Sequence, residues 1–128
     1  MRQLYTLLIY LLSPLLVLRL WLRGRKTPGY RERIGERFGF ISHQIPQQCI
    51  WIHAVSVGES QATQPLVRWL KEQFPDTAIV ISTTTPTGAD RVREMYQQEV
   101  THLYFPFDMP GAVNRVLDRL RPQILIIM

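Results

Sequence analysis

Four short runs rich in apolar and β-branched residues, at 50–55 (IWIHAV), 78–82 (AIVIS), 101–105 (THLYF) and 123–128 (QILIIM), begin 28, 23 and 22 residues apart, and a helix-period segment fills every gap. Strands so far apart in the chain need crossovers rather than hairpins, and a crossover helix brings each strand back parallel to the last. The chain is therefore expected to be α/β, with a Rossmann-like parallel sheet built from residues 47–128. In the first gap Ala62, Leu66, Trp69, Leu70 and Phe74 make an apolar stripe at helical spacing, and in the third Met109, Val113, Val116, Leu117 and Leu120 make another. The middle helix, from about Ala89 to Gln97, offers only Val92, Met95 and Tyr96. The unbroken apolar run ILIIM predicts a strand buried on both faces. Pro75-Asp76 ends the first helix, Asp108 is expected to cap the third ahead of Pro110, and Pro122 ends it. The sequence stops at Met128, at the edge of its fourth strand, which predicts the amino-terminal portion of a longer protein.

A different kind of segment precedes the sheet. Residues 3–18 carry no charge and are mostly leucine; with Arg19 snorkelling, the stretch reaches Leu22 and about 30 Å of helix, just enough to cross a bilayer core. No small-residue cleavage site of a signal peptide follows it. Arg19, Arg23, Arg25, Lys26, Arg31, Arg33 and Arg37 follow instead, so residues 1–22 read as an uncleaved membrane-anchor helix and 23–46 as a basic juxtamembrane segment on the cytoplasmic side. A helix lying in the interface or packed on the protein is the alternative. Residues 1–40 hold eight basic and two acidic side chains against seven and eight in the remainder, so the net charge of +5 belongs to the first third. A nucleic-acid module would be expected to spread its basic stripe over the folded part, so the implied partner is membrane lipid, with no nucleic acid. Residues 30–38 (YRERIGERF) read as a short helix of alternating charge, either solvated or touching lipid. The single cysteine, Cys49, excludes a disulfide framework; His43 and His102 lack a second ligand at metal spacing, and His53 reads as a core histidine, so no metal and no cofactor is expected.

In a right-handed βαβ series the strand-to-helix loops all emerge at the carboxyl edge of the sheet, where open α/β sheets bind ligands. Three such loops are present: Ser56-Val57-Gly58-Glu59-Ser60, Thr83-Thr84-Thr85-Pro86-Thr87-Gly88 and Pro106-Phe107-Asp108-Met109-Pro110. Gly58 is expected to let the backbone turn sharply and put Glu59 in the first turn of a helix, where it is either a general base facing the cleft or a carboxylate complementing the helix dipole. The run STTTPTG offers the hydroxyls of Ser82, Thr83, Thr84, Thr85 and Thr87, with Gly88 at a helix start: an anion seat, or a strand end closed by a Thr/Pro turn. It lacks the spacing of a P-loop, and no G-x-G-x-x-G is present.

The anchor followed by YRERIGERFG, IWIHAVSVGES, ISTTTPTGADRV, YFPFDMP and RPQILIIM resembles, in order and over nearly all 128 residues, the amino-terminal half of bacterial 3-deoxy-D-manno-octulosonic acid (Kdo) transferases of lipid A assembly. The resemblance implies an inverting two-domain glycosyltransferase of the GT-B fold. Such an enzyme moves Kdo from CMP-Kdo onto the lipid A precursor, lipid IVA, at the cytoplasmic face of the bacterial inner membrane. It implies that Glu59 is the general base, and that Ser56, Gly58, Ser60, Thr83, Thr84, Thr85 and Gly88 belong to the acceptor-binding side. The CMP-Kdo donor site and a second acidic residue lie beyond Met128 in that family, so this chain alone is expected to be inactive. Two other readings stay open: another membrane-bound glycosyltransferase of the same architecture, and a non-catalytic membrane-tethered α/β binding module.

Overall fold

The computed structural model describes residues 1–128. A long helix, α1 (Arg2–Arg23), leads into two single 3₁₀ turns at Pro28–Arg31 and Ile34–Phe38. There follow β1 (Ile50–His53), α2 (Val57–Gln73), β2 (Ile79–Thr83), α3 (Pro86–Tyr96), β3 (Thr101–Tyr104), α4 (Pro110–Leu120) and β4 (Ile124–Ile127). The four strands pair in the order β3-β2-β1-β4, every pair parallel. Trp51 stands opposite Val80 on one side and Leu125 on the other.

The period-2 alternation of β1 divides the core into two layers. Ile50, Ile52 and Ala54 pack with Ile79 and Ile81 against Val67 and Leu70 of α2 and Val92 and Tyr96 of α3. Cys49, Trp51, Val80 and Leu103 pack on the other face against Val116 and Leu120 of α4, with Ile41 and Ile45 alongside. Burial raises the Cys49 thiol pKa to about 11, so it is inert at neutral pH. The chain thus steps outward from β1 to β3 under α2 and α3, and α4 carries it back across the opposite face to lay β4 beside β1. Strand order reverses between β1 and β4, and the carboxyl end of such a switch point is where open α/β sheets bind ligands.

Several sequence expectations are corrected. The buried face of α2 is Ser60, Thr63, Val67 and Leu70, whereas Ala62, Trp69 and Phe74 are exposed. Polar side chains sit inside because they are satisfied there: the Thr63 hydroxyl bonds the Tyr96 hydroxyl at 2.7 Å and lies 2.6 Å from the Ser60 carbonyl. Trp69 and Phe74 instead meet each other edge to face on the surface. β4 is not buried on both faces: at the edge of the sheet beside β1, its Ile124 and Ile127 are 52% and 67% exposed, and Ile126 packs against the first layer. Met109, not Asp108, occupies the cap position of α4; the Asp108 carboxylate accepts a hydrogen bond from the Tyr5 hydroxyl at 2.7 Å.

The segment 30–38 is not one short helix. It breaks into two 3₁₀ turns, and Glu36 and Arg37 are buried. Arg33 sits in the left-handed region at φ +53°, held by its own side chain: Nε and Nη2 donate to the Glu36 carboxylate at 2.6 and 2.7 Å, and Nη2 also donates to the His102 carbonyl at 2.9 Å. Gly39, at φ +83°, closes the second turn where a Cβ would stand 2.5 Å from the Ala112 carbonyl, so only glycine permits this approach to α4.

α1 lies along the rest of the molecule instead of projecting from it. Near its start the Tyr5 hydroxyl reaches Asp108, and the Gly111 N–H donates to the Tyr10 hydroxyl at 3.0 Å. Near its end Leu20 is buried and Arg31 Nε donates to the Trp21 carbonyl at 3.2 Å. Residues 5 and 21 are roughly 24 Å apart on a helix, and both ends touch the same folded unit. The leucines at 4, 7, 8, 11, 12, 15 and 18 are exposed on the outer side.

Candidate functional site

The site is assembled at the carboxyl edge, where α2, α3 and α4 all begin. At the end of β1, Ser56 caps α2 by accepting the Glu59 N–H at 3.4 Å, while Glu59 Oε2 accepts the Val55 N–H at 2.5 Å. This reciprocal arrangement is close to a capping box, with the carboxylate reaching one residue further back. Oε1 of the half-buried Glu59 has no hydrogen-bond partner in the chain, and the electropositive first turn of α2 lies beside it. Gly58 does not make a sharp turn, as expected from sequence; it lies inside the first turn of α2, and a Cβ there would meet nothing nearer than Ser56 Oγ at 4.0 Å. Its contribution is open space next to Glu59.

The threonine run is joined to this loop. Thr84 Oγ1 donates to the Val55 carbonyl at 3.0 Å, so Val55 is bonded through its carbonyl to the threonine loop and through its N–H to Glu59. Thr85 caps α3, accepting the Gly88 N–H at 3.2 Å and the Thr87 hydroxyl at 3.3 Å. The remaining candidates differ in access. Ser56 and Gly58 are exposed and Thr84 and Thr85 half-buried, but Ser60, Thr83 and Gly88 are buried. The Ser60 hydroxyl donates to the Ser56 carbonyl at 2.8 Å, and Gly88 packs within 3.2 Å of Thr83 Cβ as measured from an added Cβ. These three shape the loops from beneath.

His53 is the core histidine expected: its ring stacks on Phe105 at 3.8 Å and its Nδ1 lies 3.0 Å from Ser82 Oγ, which also accepts the Trp51 indole N–H. Burial lowers its pKa, opposed by the Ser82 carbonyl and the nearby negative charge of Glu59.

Sequence reasoning missed a second network behind the loop. Arg33 Nη1 donates to His102 Nδ1 at 3.0 Å, which assigns the proton of the neutral ring to Nε2, and Nε2 donates to Thr83 Oγ1 at 2.9 Å; Thr83 in turn donates to the Thr85 carbonyl at 3.2 Å. A chain of hydrogen bonds therefore runs from the segment after α1 to the cap of α3. Burial, with Arg33, Arg93, His43 and Arg37 nearby, pushes the His102 pKa down to about 3. The unfolded chain binds a proton there near pH 6.5 and the folded one does not, so stability falls as pH drops from about 6.5 toward 3, by up to about 1.4 kcal/mol per pH unit from this residue. Urea unfolding of the protein at pH 7 and pH 5 is expected to show that slope, and His102→Gln is expected to flatten it; an unchanged slope in the variant would contradict the assignment.

Similarity to known proteins covers the part of the chain that holds these loops. A family model described as 3-deoxy-D-manno-octulosonic-acid transferase (kdotransferase) matches residues 32–128. The chain belongs to this family. The Haemophilus influenzae 3-deoxy-D-manno-octulosonic acid transferase is 40% identical over 99% of the chain and 30% of its own length. The Bordetella pertussis transferase is 33% identical over 99% and 31% respectively. An Arabidopsis thaliana protein named as a probable mitochondrial 3-deoxy-D-manno-octulosonic acid transferase is 35% identical over 98% and 28%. The chain thus spans about 30% of the length of the curated Kdo transferases it matches. No solved structure matches. The matched Kdo transferase region begins at residue 32, so it takes in Arg33, Glu36 and Arg37 together with the loops of Glu59 and Thr84. The signal for the missed network was present in the Arg33-x-x-Glu36 spacing, which puts both groups on one face of a single turn.

Proposed function

We propose that the full-length protein is an inverting Kdo transferase that moves Kdo from CMP-Kdo to lipid IVA in lipopolysaccharide synthesis, and that this chain supplies its acceptor side. Glu59 Oε1 takes the proton of an acceptor sugar hydroxyl as that oxygen bonds to the anomeric carbon of Kdo. The bond from that carbon to the CMP phosphate breaks, and CMP leaves with the electron pair. The observation that carries this reading is the Glu59 carboxylate at the β1 switch point, one oxygen held by the Val55 N–H and the other without a partner. A purely dipole-complementing carboxylate needs no threonine loop joined to it through Val55. Ser56, Thr84 and Thr85, with free space over Gly58, offer the polar rim for the acceptor headgroup, and the CMP-Kdo donor belongs to the part of the protein beyond residue 128. In that arrangement residues 47–128 form the acceptor half of a GT-B enzyme.

The membrane disposition follows from α1. Its two ends bond to the folded unit through Tyr5, Tyr10 and Trp21, and its leucines face outward, which supports a helix lying in the headgroup–acyl boundary of the cytoplasmic leaflet of the inner membrane. A crossing helix would carry Tyr5 away from Asp108. Laid flat, α1 brings the carboxyl edge, and with it Glu59, to the lipid surface where a lipid acceptor resides.

An assay of the full-length protein with lipid IVA, offering CMP-Kdo or uridine-diphosphate sugars in turn, tests the reading. Transfer from CMP-Kdo alone is expected; transfer from a uridine-diphosphate sugar without CMP-Kdo turnover would instead make this a different membrane-bound glycosyltransferase.

A further inference from the structure

Between α1 and the threonine loop lies a crevice of about 180 Å³ that shares Thr84 and Thr85 with the proposed acceptor rim but is not lined by Glu59. Arg19 and Arg23 reach it from α1, Arg37 from the second 3₁₀ turn, and Thr84 and Thr85 from the loop. No carboxylate lines it, and none of these three guanidiniums belongs to an ion pair. Arg37 is the telling member. It is 4% exposed, its Nη2 donates to the Thr84 carbonyl at 2.8 Å, and its buried Nε has no partner. A buried donor left unpaired is costly, and three unneutralised cations around one small space repel each other. An anion with several acceptor oxygens removes both costs, and guanidinium groups suit phosphate because their paired N–H groups match its oxygens.

We propose that this crevice seats the phosphate of a phosphorylated lipid headgroup. A lipid rather than a free anion is favoured because two of the guanidiniums stand on the apolar helix itself and Leu16 and Leu20 complete the wall, so an acyl-bearing ligand meets apolar surface as its phosphate meets the arginines. The proposal rests on the reading that α1 lies against the bilayer and is separable from the chemistry at Glu59. The Thr84 to Val55 link puts a headgroup held here next to the loop that carries Glu59, so the seat fixes the position of an acceptor.

The test measures binding of monomeric short-chain phosphatidic acid, short-chain phosphatidylcholine and inorganic phosphate to the full-length protein by titration calorimetry. Arg19 and Arg23 are exposed, so a double Arg19→Gln, Arg23→Gln variant keeps the fold, and Arg25→Gln, outside the crevice with its guanidinium over the Trp21 ring, removes a charge from the same region as a control. Phosphatidic acid is expected to bind at least about tenfold more tightly than either inorganic phosphate or phosphatidylcholine. The double variant is expected to lose about tenfold or more, as for charge-assisted hydrogen bonds, against about threefold or less for Arg25→Gln. A double variant that binds no more weakly than the Arg25→Gln control overturns the seat. Equal affinity for inorganic phosphate overturns the lipid assignment, and equal affinity for phosphatidylcholine overturns recognition of a phosphate monoester. Glu59→Gln, which fails in turnover if the acceptor reading holds, is expected to bind phosphatidic acid like wild type, so the two readings fail separately.

Discussion

Arg33→Met in the full-length protein is expected to lower the unfolding free energy by about 3–5 kcal/mol. Glu36 is 2% exposed, and its carboxylate depends on Arg33 for two of its bonds, at 2.6 and 2.7 Å; the Tyr104 N–H at 3.0 Å and His43 at 3.1 Å supply the others. Removing the guanidinium strands a buried carboxylate, and it also leaves His102 Nδ1 without its donor. The strained left-handed backbone at Arg33, worth roughly 1–2 kcal/mol, is then no longer compensated by the side chain. Urea unfolding reads this as a lower midpoint at unchanged slope. The double variant Arg33→Met, Glu36→Leu is expected to recover part of the loss, because an apolar pair is cheaper to bury than an orphaned charge. A single-variant loss below about 1 kcal/mol would mean that the network is not holding the segment after α1 to β3.

The parallel sheet was legible because β-branched runs, crossover lengths and Pro punctuation all agree on it, and agreement between levels is what makes a pattern trustworthy. Glu59 was placed correctly in a first turn, but on the wrong ground: Gly58 contributes room and not a bend, and it is Ser56 that caps α2. The face of α2 was misread because hydropathy counts Ser60 and Thr63 as surface residues, while their hydroxyls are paired inside, and counts Trp69 and Phe74 as core, while they pair with each other outside. ILIIM looked doubly buried because apolar content reports what a strand prefers and not what covers it. Beyond the Arg33-x-x-Glu36 spacing, the partners of the two arginine networks could not be read for a different reason. His102 comes from a strand 66 residues beyond Glu36, Arg19, Arg37 and Thr84 come from three separate elements, and charges in a short basic stretch look solvated until tertiary structure supplies their partners.

Glu59→Gln is expected to have the largest effect on function. Glutamine keeps the size of the side chain and an oxygen for the Val55 N–H, so the capping of α2 survives, but the group can no longer take a proton. Loss of a general base costs about 10²–10⁴ in rate, or roughly 3–5 kcal/mol of barrier. The acceptor contacts proposed for Ser56, Thr84 and Thr85 are untouched, so the effect is expected in the chemical step and not in binding. The most direct measurement is therefore the single-turnover rate of Kdo transfer by full-length Glu59→Gln with saturating CMP-Kdo and lipid IVA, taken together with its affinity for lipid IVA. A rate at least a hundredfold below wild type, with affinity unchanged within about threefold, is predicted. A rate within tenfold of wild type would contradict Glu59 as the base.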